Sequence, residues 1–526
     1  MKKLALALLC ILAAAAGAAV SEYQNPRILP MLRPTDDQSA VAKAPIAMEP
    51  GNTEAPAPTP EVDNVYPEET VSPMEIRELF EKMDFDTLTA RLEKYQTMFE
   101  EDFRYEYHVY DAFQAFDTNL PKYEVLLSAW QDAAPESFAP HLARAIYYQE
   151  LGYNSRGAEW ATETTKSQFA GMDYHYQRAE QEALEALNLN PNAVRAVTIL
   201  MNIRMNYSDR KALIALKDHA TRLSPYAMLF RLNYMFSLLP RWGGSYNAMD
   251  NYVRSCEKYF RFNPRLAVLK GYKFSDMGDY YRRKEDYPKA LAMYNQALSF
   301  GPDHNYLRDR GRIYYRMKDY RSAMADLDQA VSIRPTITAN YNLRSKIYYA
   351  TGNFEASLQD LDIATQIKPT DSHTLEDRQW CCNNLMQRGH QLFKTDKNGS
   401  VEKYSLALRY NSEFAEVWYW RGVAYSNLGR YEESRADIKH SIELDPAHFE
   451  SVRMIDNLLA RERKWDEIIE YWNAFLLLNP THADALMERS GTHYHNGNME
   501  LALRDLKRSC ELGNRNACRQ YKKMNR

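Results

Sequence analysis

From residue 74 onward the apolar side chains fall at helical spacing. Ile76, Leu79, Phe80 and Met83 form one stripe, and Leu88, Leu92 and Tyr95 form the next, the signature of amphipathic helices. No segment sustains the apolar–polar alternation of a strand. Ser72-Pro73-Met74-Glu75 opens the first stripe as an N-cap, a proline at the first helical position and a capping-box glutamate. Prolines then punctuate the helices. Pro135, Pro191, Pro225 and Pro264 stand at irregular intervals, whereas Pro302, Pro335 and Pro369 are 33 and 34 residues apart and Pro446 and Pro480 are 34 apart. Gly278 and Gly311 repeat that step, each followed three residues later by a tyrosine (Tyr281, Tyr314), and Gly422 with Tyr425 repeats the pair. A period near 34 residues belongs to a helix–turn–helix hairpin stacked on copies of itself. The fold class expected is therefore all-α, an α-solenoid of such hairpins preceded by an irregular helical-hairpin region.

Fixed places in each hairpin carry matching residue types. Residues 271–303 hold Phe274, Gly278, Tyr281, Ala290, Tyr294, Ala297 and Pro302, and 304–337 hold Leu307, Gly311, Tyr314, Ala323, Leu327, Ala330 and Pro335. Residues 338–371 hold Tyr341, Ser345, Tyr348, Ser357, Leu361, Ala364 and Pro369, and 415–448 hold Trp418, Gly422, Tyr425, Ser434, Ile438, Ser441 and Pro446. Glycines facing Ala290, Ala323 and Ser434 let paired helices approach. Rings such as Tyr281, Tyr294 and Trp418 fill the space between layers, and proline ends the second helix. A divergent unit, 372–414, keeps Tyr404 and Ala407 but carries a polar insertion from Thr395 to Ser400, while 449–482 and 483–516 keep the length. The pattern resembles the tetratricopeptide repeat family, and the C-terminal end resembles Sel1-like hairpins. That resemblance implies a right-handed superhelical solenoid with a concave groove that receives peptides, lined here by Tyr272, Arg282, Arg283, Arg308, Arg312, Tyr315, Arg316, Asn342, Lys346 and Tyr349. A basic, tyrosine-bordered surface on an acidic chain fits an acidic or carboxylate-bearing protein or peptide. The alternative is a solvated helix face whose arginines pair with neighbouring carboxylates.

Upstream, Asp111-Ala112-Phe113-Gln114-Ala115-Phe116, Trp160 with Phe169 and Met172, and Pro240-Arg241-Trp242-Gly243-Gly244-Ser245 make residues 76–262 resemble a bacterial family known as domain of unknown function 4034. No activity comes with that resemblance. Gly243-Gly244-Ser245 reads as a tight turn into an N-cap. Backbone N–H groups there, beside Arg241, make Arg241, Gly243, Gly244 and Ser245 a candidate anion site. In the alternative, Trp242 plugs the core and the glycines permit the bend.

At 526 residues the chain exceeds one compact core. Residues 1–19 read as a signal peptide, with Lys2 and Lys3, the apolar run Leu4 to Ala16 and a small-residue cleavage site. An uncleaved membrane anchor is the alternative, although the charge-free stretch from Leu4 to Val20 is 17 residues, short of the roughly 20 a span needs. Residues 20–72 read as a disordered tether, since ten of the 23 prolines lie between Pro26 and Pro73. The irregular helical domain is placed at 73–264, three regular repeats at 271–371, the divergent one at 372–414 and further repeats at 415–526. Removing the leader leaves 64 basic against 70 acidic side chains, which excludes a globally basic nucleic-acid binder.

Export implies an oxidising compartment. Cys510 and Cys518 are too far apart on one helix, but a reversal at Leu512-Gly513-Asn514 brings them within disulfide reach. Cys256 is expected to be buried, and of Cys381 and Cys382 one is expected buried and one exposed. No zinc-helix motif, phosphate loop or nucleophile elbow is present. His493 and His495 are two apart, as are Asp173 and His175, so neither pair shares a helix face for a metal. No cofactor, metal or catalytic residue is expected. The sequence points to a non-catalytic exported scaffold binding a protein or peptide, in the periplasm or secreted. Two alternatives are an envelope enzyme with its site in residues 76–262 around Arg241 and Ser245, and a membrane-tethered assembly factor if the leader stays uncleaved.

Overall fold

The computed structural model describes residues 71–157 and 163–525. The expected signal peptide, nearly all of the tether, and Trp160 lie outside the described residues. Among the described residues there are 25 α-helices and no strand, so the all-α solenoid expected from the periodicity stands. None of these helices is long and apolar enough to cross a membrane. The first, Pro73–Glu81, starts where the sequence places it, with Pro73 in its first turn and the Ser72 hydroxyl accepting from the Glu75 N–H at 3.4 Å. Only half of the capping box forms there. The Glu75 carboxylate turns instead to Arg91 of the next helix at 3.5 Å, a charged partner that competes with the backbone N–H. A full capping box forms at Thr165 and Gln168.

The chain divides into two compact units. One runs through Asn340 and includes Gln366–Thr370; the other comprises Tyr341–Thr365 and Asp371–Arg526. In the first unit the upstream helices vary from the eight residues of Glu106–Phe113 to the 24 of Lys166–Leu189. Their core is aromatic, with Phe80 edge-on to Phe116 at 5.2 Å and Phe116 stacked on Trp130 at 5.5 Å. That core continues without a break into Ala297, Leu298, Tyr306, Leu307 and Ala330 of the hairpins Tyr272–Arg283 with Tyr287–Leu298 and His304–Arg316 with Tyr320–Ile333.

Buried and half-buried charges tie parts of this unit together. Arg334 donates to Asp111 at 2.6 Å, the Thr336 hydroxyl donates to Asp111 at 2.9 Å, and the Arg334 guanidinium lies 4.0 Å from the Tyr107 ring centre. Lys368 reaches Glu150 at 3.0 Å and Asp117 at 3.1 Å, and Arg77 donates to the carbonyls of Gln366 and Ile367. The Asp111–Phe116 motif is thus partly a clasp for the turn at Arg334–Thr336.

The second unit stacks Ser372–Leu392 with Lys397–Tyr410, Ala415–Asn427 with Tyr431–Leu444, Phe449–Ala460 with Trp465–Leu478, and Ala483–His495 with Met499–Glu511, closed by Arg515–Met524. The insertion in the divergent repeat is smaller than its polarity suggested. Asp396 caps the second helix and Lys397 to Ser400 form its first turn. Cys381 and Cys382 are both buried, against the expectation that one is exposed. Ser372–Leu392 is covered on two sides, within a cluster that includes Tyr349, Leu361, Tyr404 and Ala407, and burial pushes both thiols up to about 12. Cys256 is buried as expected. Gly278 faces the Tyr294 ring rather than Ala290, while Gly311 faces Ala323 and Gly422 faces Ile438 and Ser434.

Candidate partner-binding site

Four hairpins share a pairing that fixes the first-helix face. Arg310, Arg344, Arg421 and Arg489 each precede a small residue, Gly311, Ser345, Gly422 or Ser490. Each forks onto the aspartate sixteen residues later: Asp326 at 2.6 and 2.9 Å, Asp360 at 2.7 and 2.8 Å, Asp437 at 2.7 and 2.8 Å, and Asp505 at 2.7 and 2.9 Å. Such two-point charge-assisted bonds are strong and directional. These guanidinium groups also reach back to the preceding hairpin, as Arg310 does to Asn295, Arg421 to Ser405 and Arg489 to Asn473. In Phe449–Ala460 with Trp465–Leu478, a Trp472 N–H donated to Asp456 at 2.8 Å takes the same spacing. Side chains of this ladder are committed to packing. Its sequence signal is Arg-Gly or Arg-Ser followed sixteen residues later by Asp-Leu or Asp-Ile.

The expected groove residues behave differently from one another. Arg282 donates to Asp279 at 2.8 Å and Arg283 pairs with the same carboxylate. Arg308 and Arg312 share Asp309 at 3.3 and 3.0 Å. Arg316 is exposed and has no acidic partner among the described residues. Tyr272 is half-buried and edge-on to Tyr306, and the Tyr315 ring lies 6.1 Å from Tyr320. In the second unit, Lys346 pairs with Asp377 at 2.7 Å. Asn342 is buried, donating to Asp371 and accepting from Thr374. Tyr349 is only 3% exposed and packs against Phe354, Trp380 and Tyr410. Burial removes Asn342 and Tyr349 from an open face. Sequence reasoning picked out the arginines and missed Asp279 and Asp309, which stand among them at helical spacing.

The Pro240–Ser245 segment is a turn in which the Gly243 and Gly244 backbone donors are already used. Gly243 adopts φ +77°, and its N–H bonds the Pro240 carbonyl at 3.0 Å; the Gly244 N–H bonds Leu239 at 3.1 Å. The Ser245 hydroxyl caps Tyr246–Cys256 by accepting from the Ala248 N–H at 3.1 Å. Arg241 pairs with Asp276 at 2.6 Å, and Tyr246 donates to the other oxygen of that carboxylate at 2.8 Å. Trp242 is half-buried against Phe236, with its carbonyl held by Arg210. This geometry supports the bend rather than an open anion cradle.

At the C-terminus, Gly513 at φ +96° reverses the chain and brings the Cys510 and Cys518 sulfurs to bonding distance, with Cα atoms 4.6 Å apart. His493 is buried near Asp505 while His495 stacks on Trp465, so the two rings do face apart. Asp173 accepts from Tyr207 at 2.8 Å.

Residues 73–227 match the model of a family described as a domain of unknown function, DUF4034. Residues 278–345, 415–448 and 456–517 match three tetratricopeptide repeat models. No curated protein matches the chain. Among solved structures it is similar to the TPR2AB-domain:pHSP90 complex of yeast Sti1, at 17% identity and TM-score 0.21, over 44% of this chain and 98% of that one. It is also similar to the C-terminal part of a TPR repeat-containing protein from Cytophaga hutchinsonii, at 18% identity and TM-score 0.26, over 46% and 97%. A third is the TPR domain of P58(IPK), at 14% identity and TM-score 0.23, over 64% and 93%. The chain carries a DUF4034 region followed by tetratricopeptide repeats.

Proposed function

We propose that this protein is a non-catalytic interaction scaffold whose first-helix faces bind an acidic protein or peptide. One observation carries the reading. On Tyr272–Arg283 and His304–Arg316, the arginines 282, 283, 308, 312 and 316 outnumber the two aspartates, Asp279 and Asp309, that face them. A face with surplus, partly desolvated guanidinium groups favours carboxylate ligands and repels cationic ones. Fluorescence anisotropy of labelled Asp/Glu-rich and Lys-rich peptides tests this. The acidic peptide is expected to bind with a strong salt dependence, and Arg282→Ala/Arg283→Ala/Arg312→Ala/Arg316→Ala to weaken it by at least about tenfold. Equal binding of both peptides, or no loss in the variant, overturns the reading.

The scaffold is further proposed to act outside the cytoplasm, supported by Lys2, Lys3 and the apolar run after them and by the approach of Cys510 to Cys518. N-terminal sequencing of the protein from its native host is expected to start near residue 20. Its intact mass is expected to be two hydrogens lighter than the reduced chain. A start at Met1 supports the tethered alternative.

A further inference from the structure

Between Ala483–His495 and Met499–Glu511 lies a cleft of about 390 Å³, a size within the range of small-ligand sites. Apart from Leu486, every residue lining it is charged: Arg489, Arg504, Lys507 and Arg508 against Asp505 and Glu511. Two of the cations are engaged. Arg489 forks onto Asp505 at 2.7 and 2.9 Å, and Arg508 faces Glu511 at 3.4 Å. Arg504 and Lys507 are exposed and have no acidic partner among the described residues. Four cations against two carboxylates leave the cleft two charges positive. The closing helix, Arg515–Met524, adds Arg515, Arg519, Lys522 and Lys523 and no carboxylate, so this end is basic on a chain of net charge −4.

We propose that this cleft is a binding site for a phosphomonoester, held by Arg504 and Lys507 with Arg508 at its edge. A phosphomonoester carries about −1.5 to −2 charge near neutral pH and three acceptor oxygens, which matches the surplus and the multiple N–H donors. A single carboxylate leaves half of the surplus uncompensated. The site is independent of the first-helix faces of 272–316, and either assignment stands without the other.

Two arms separate a free phosphate from a lipid headgroup, both with the full chain. Inorganic phosphate is titrated by calorimetry at low salt. Phosphatidylcholine vesicles with and without phosphatidic acid are tested by co-flotation. Binding in the first arm assigns a soluble phosphate, and binding only to phosphatidic acid vesicles assigns a headgroup. In either case Arg504→Ala/Lys507→Ala is expected to weaken binding by at least about tenfold with an unchanged melting temperature, since both side chains are exposed. The charge-matched control Lys318→Ala/Arg321→Ala is expected to bind as the parent does. No binding in either arm, equal losses in variant and control, or displacement of phosphate by an equal concentration of acetate overturns the proposal.

Discussion

Gly244 and Gly311 are both turn-or-packing glycines in the sequence, yet their surroundings set opposite costs for one methyl group. A Cβ on Gly244 would stand 2.0 Å from the Leu238 carbonyl oxygen, a backbone atom that cannot step aside. Gly244→Ala is expected to destabilise by about 1–3 kcal/mol. A Cβ on Gly311 meets Ala323, Asp326 and Leu327 at 3.4 Å, ordinary contact distance. Gly311→Ala within His304–Arg316 is expected to be neutral, or stabilising by up to about 1 kcal/mol through helix propensity, whereas Gly311→Leu overpacks the hairpin. Thermal melts of the three variants check the order. At this scale sequence reading recovered identities well and environments poorly. Tyr349 and Arg316 both follow the exposed-face register, but Tyr349 is enclosed by Trp380 and Tyr410 from later elements, and no local pattern announces such a neighbour.

Hairpins are the scale at which the sequence was most legible. The 34-residue step, the small residue at Gly311 and Gly422, and the prolines located helix pairs with their turns, because each unit repeats one packing problem. The arginine–aspartate forks are hidden at this scale, because Arg and Asp at a sixteen-residue spacing look like ordinary surface charge. Desolvation raises the Asp326 and Asp437 carboxyls, with the facing guanidinium lowering them in part. Removing one partner strands the other in a mostly buried position. Asp437→Ala is expected to cost about 2–4 kcal/mol. Arg421→Met/Asp437→Leu is expected to regain most of that loss, because an apolar pair avoids the desolvation of both charges. Urea midpoints of the single and double variants measure it, and a double variant no better than the single removes the fork from the account.

For the molecule as a whole, buried and half-buried histidines set a direction for pH. Burial, with Arg334, Arg308 and Arg265 nearby, holds His304 well below the usual imidazole range, and burial lowers His175, His219, His390 and His493 as well. The unfolded chain takes up these protons near pH 6.5 while the folded chain does not. Stability is therefore full above about pH 6.5 and declines as pH falls below it. Carboxyls raised by burial, such as Asp303, act in the opposite sense. The melting temperature is expected to drop between about pH 7.5 and 5.5, and less so in His304→Gln; a flat or rising profile contradicts the assignment of neutral buried imidazoles. The irregular region was the least legible part at this scale, because contacts such as Arg334 with Asp111 join residues 223 apart and leave no periodic trace.

That long-range clasp has a mechanical consequence. Stacked hairpins ordinarily behave as a spring, each coil yielding on its own. Here Asp111 grips Arg334 and Thr336 while Asp117 and Glu150 grip Lys368, so the turns after two successive coils are riveted to the upstream helices. Stretched in an optical trap, residues 73–340 should rupture as one event, and the coils beyond residue 371 should let go in smaller, sequential steps.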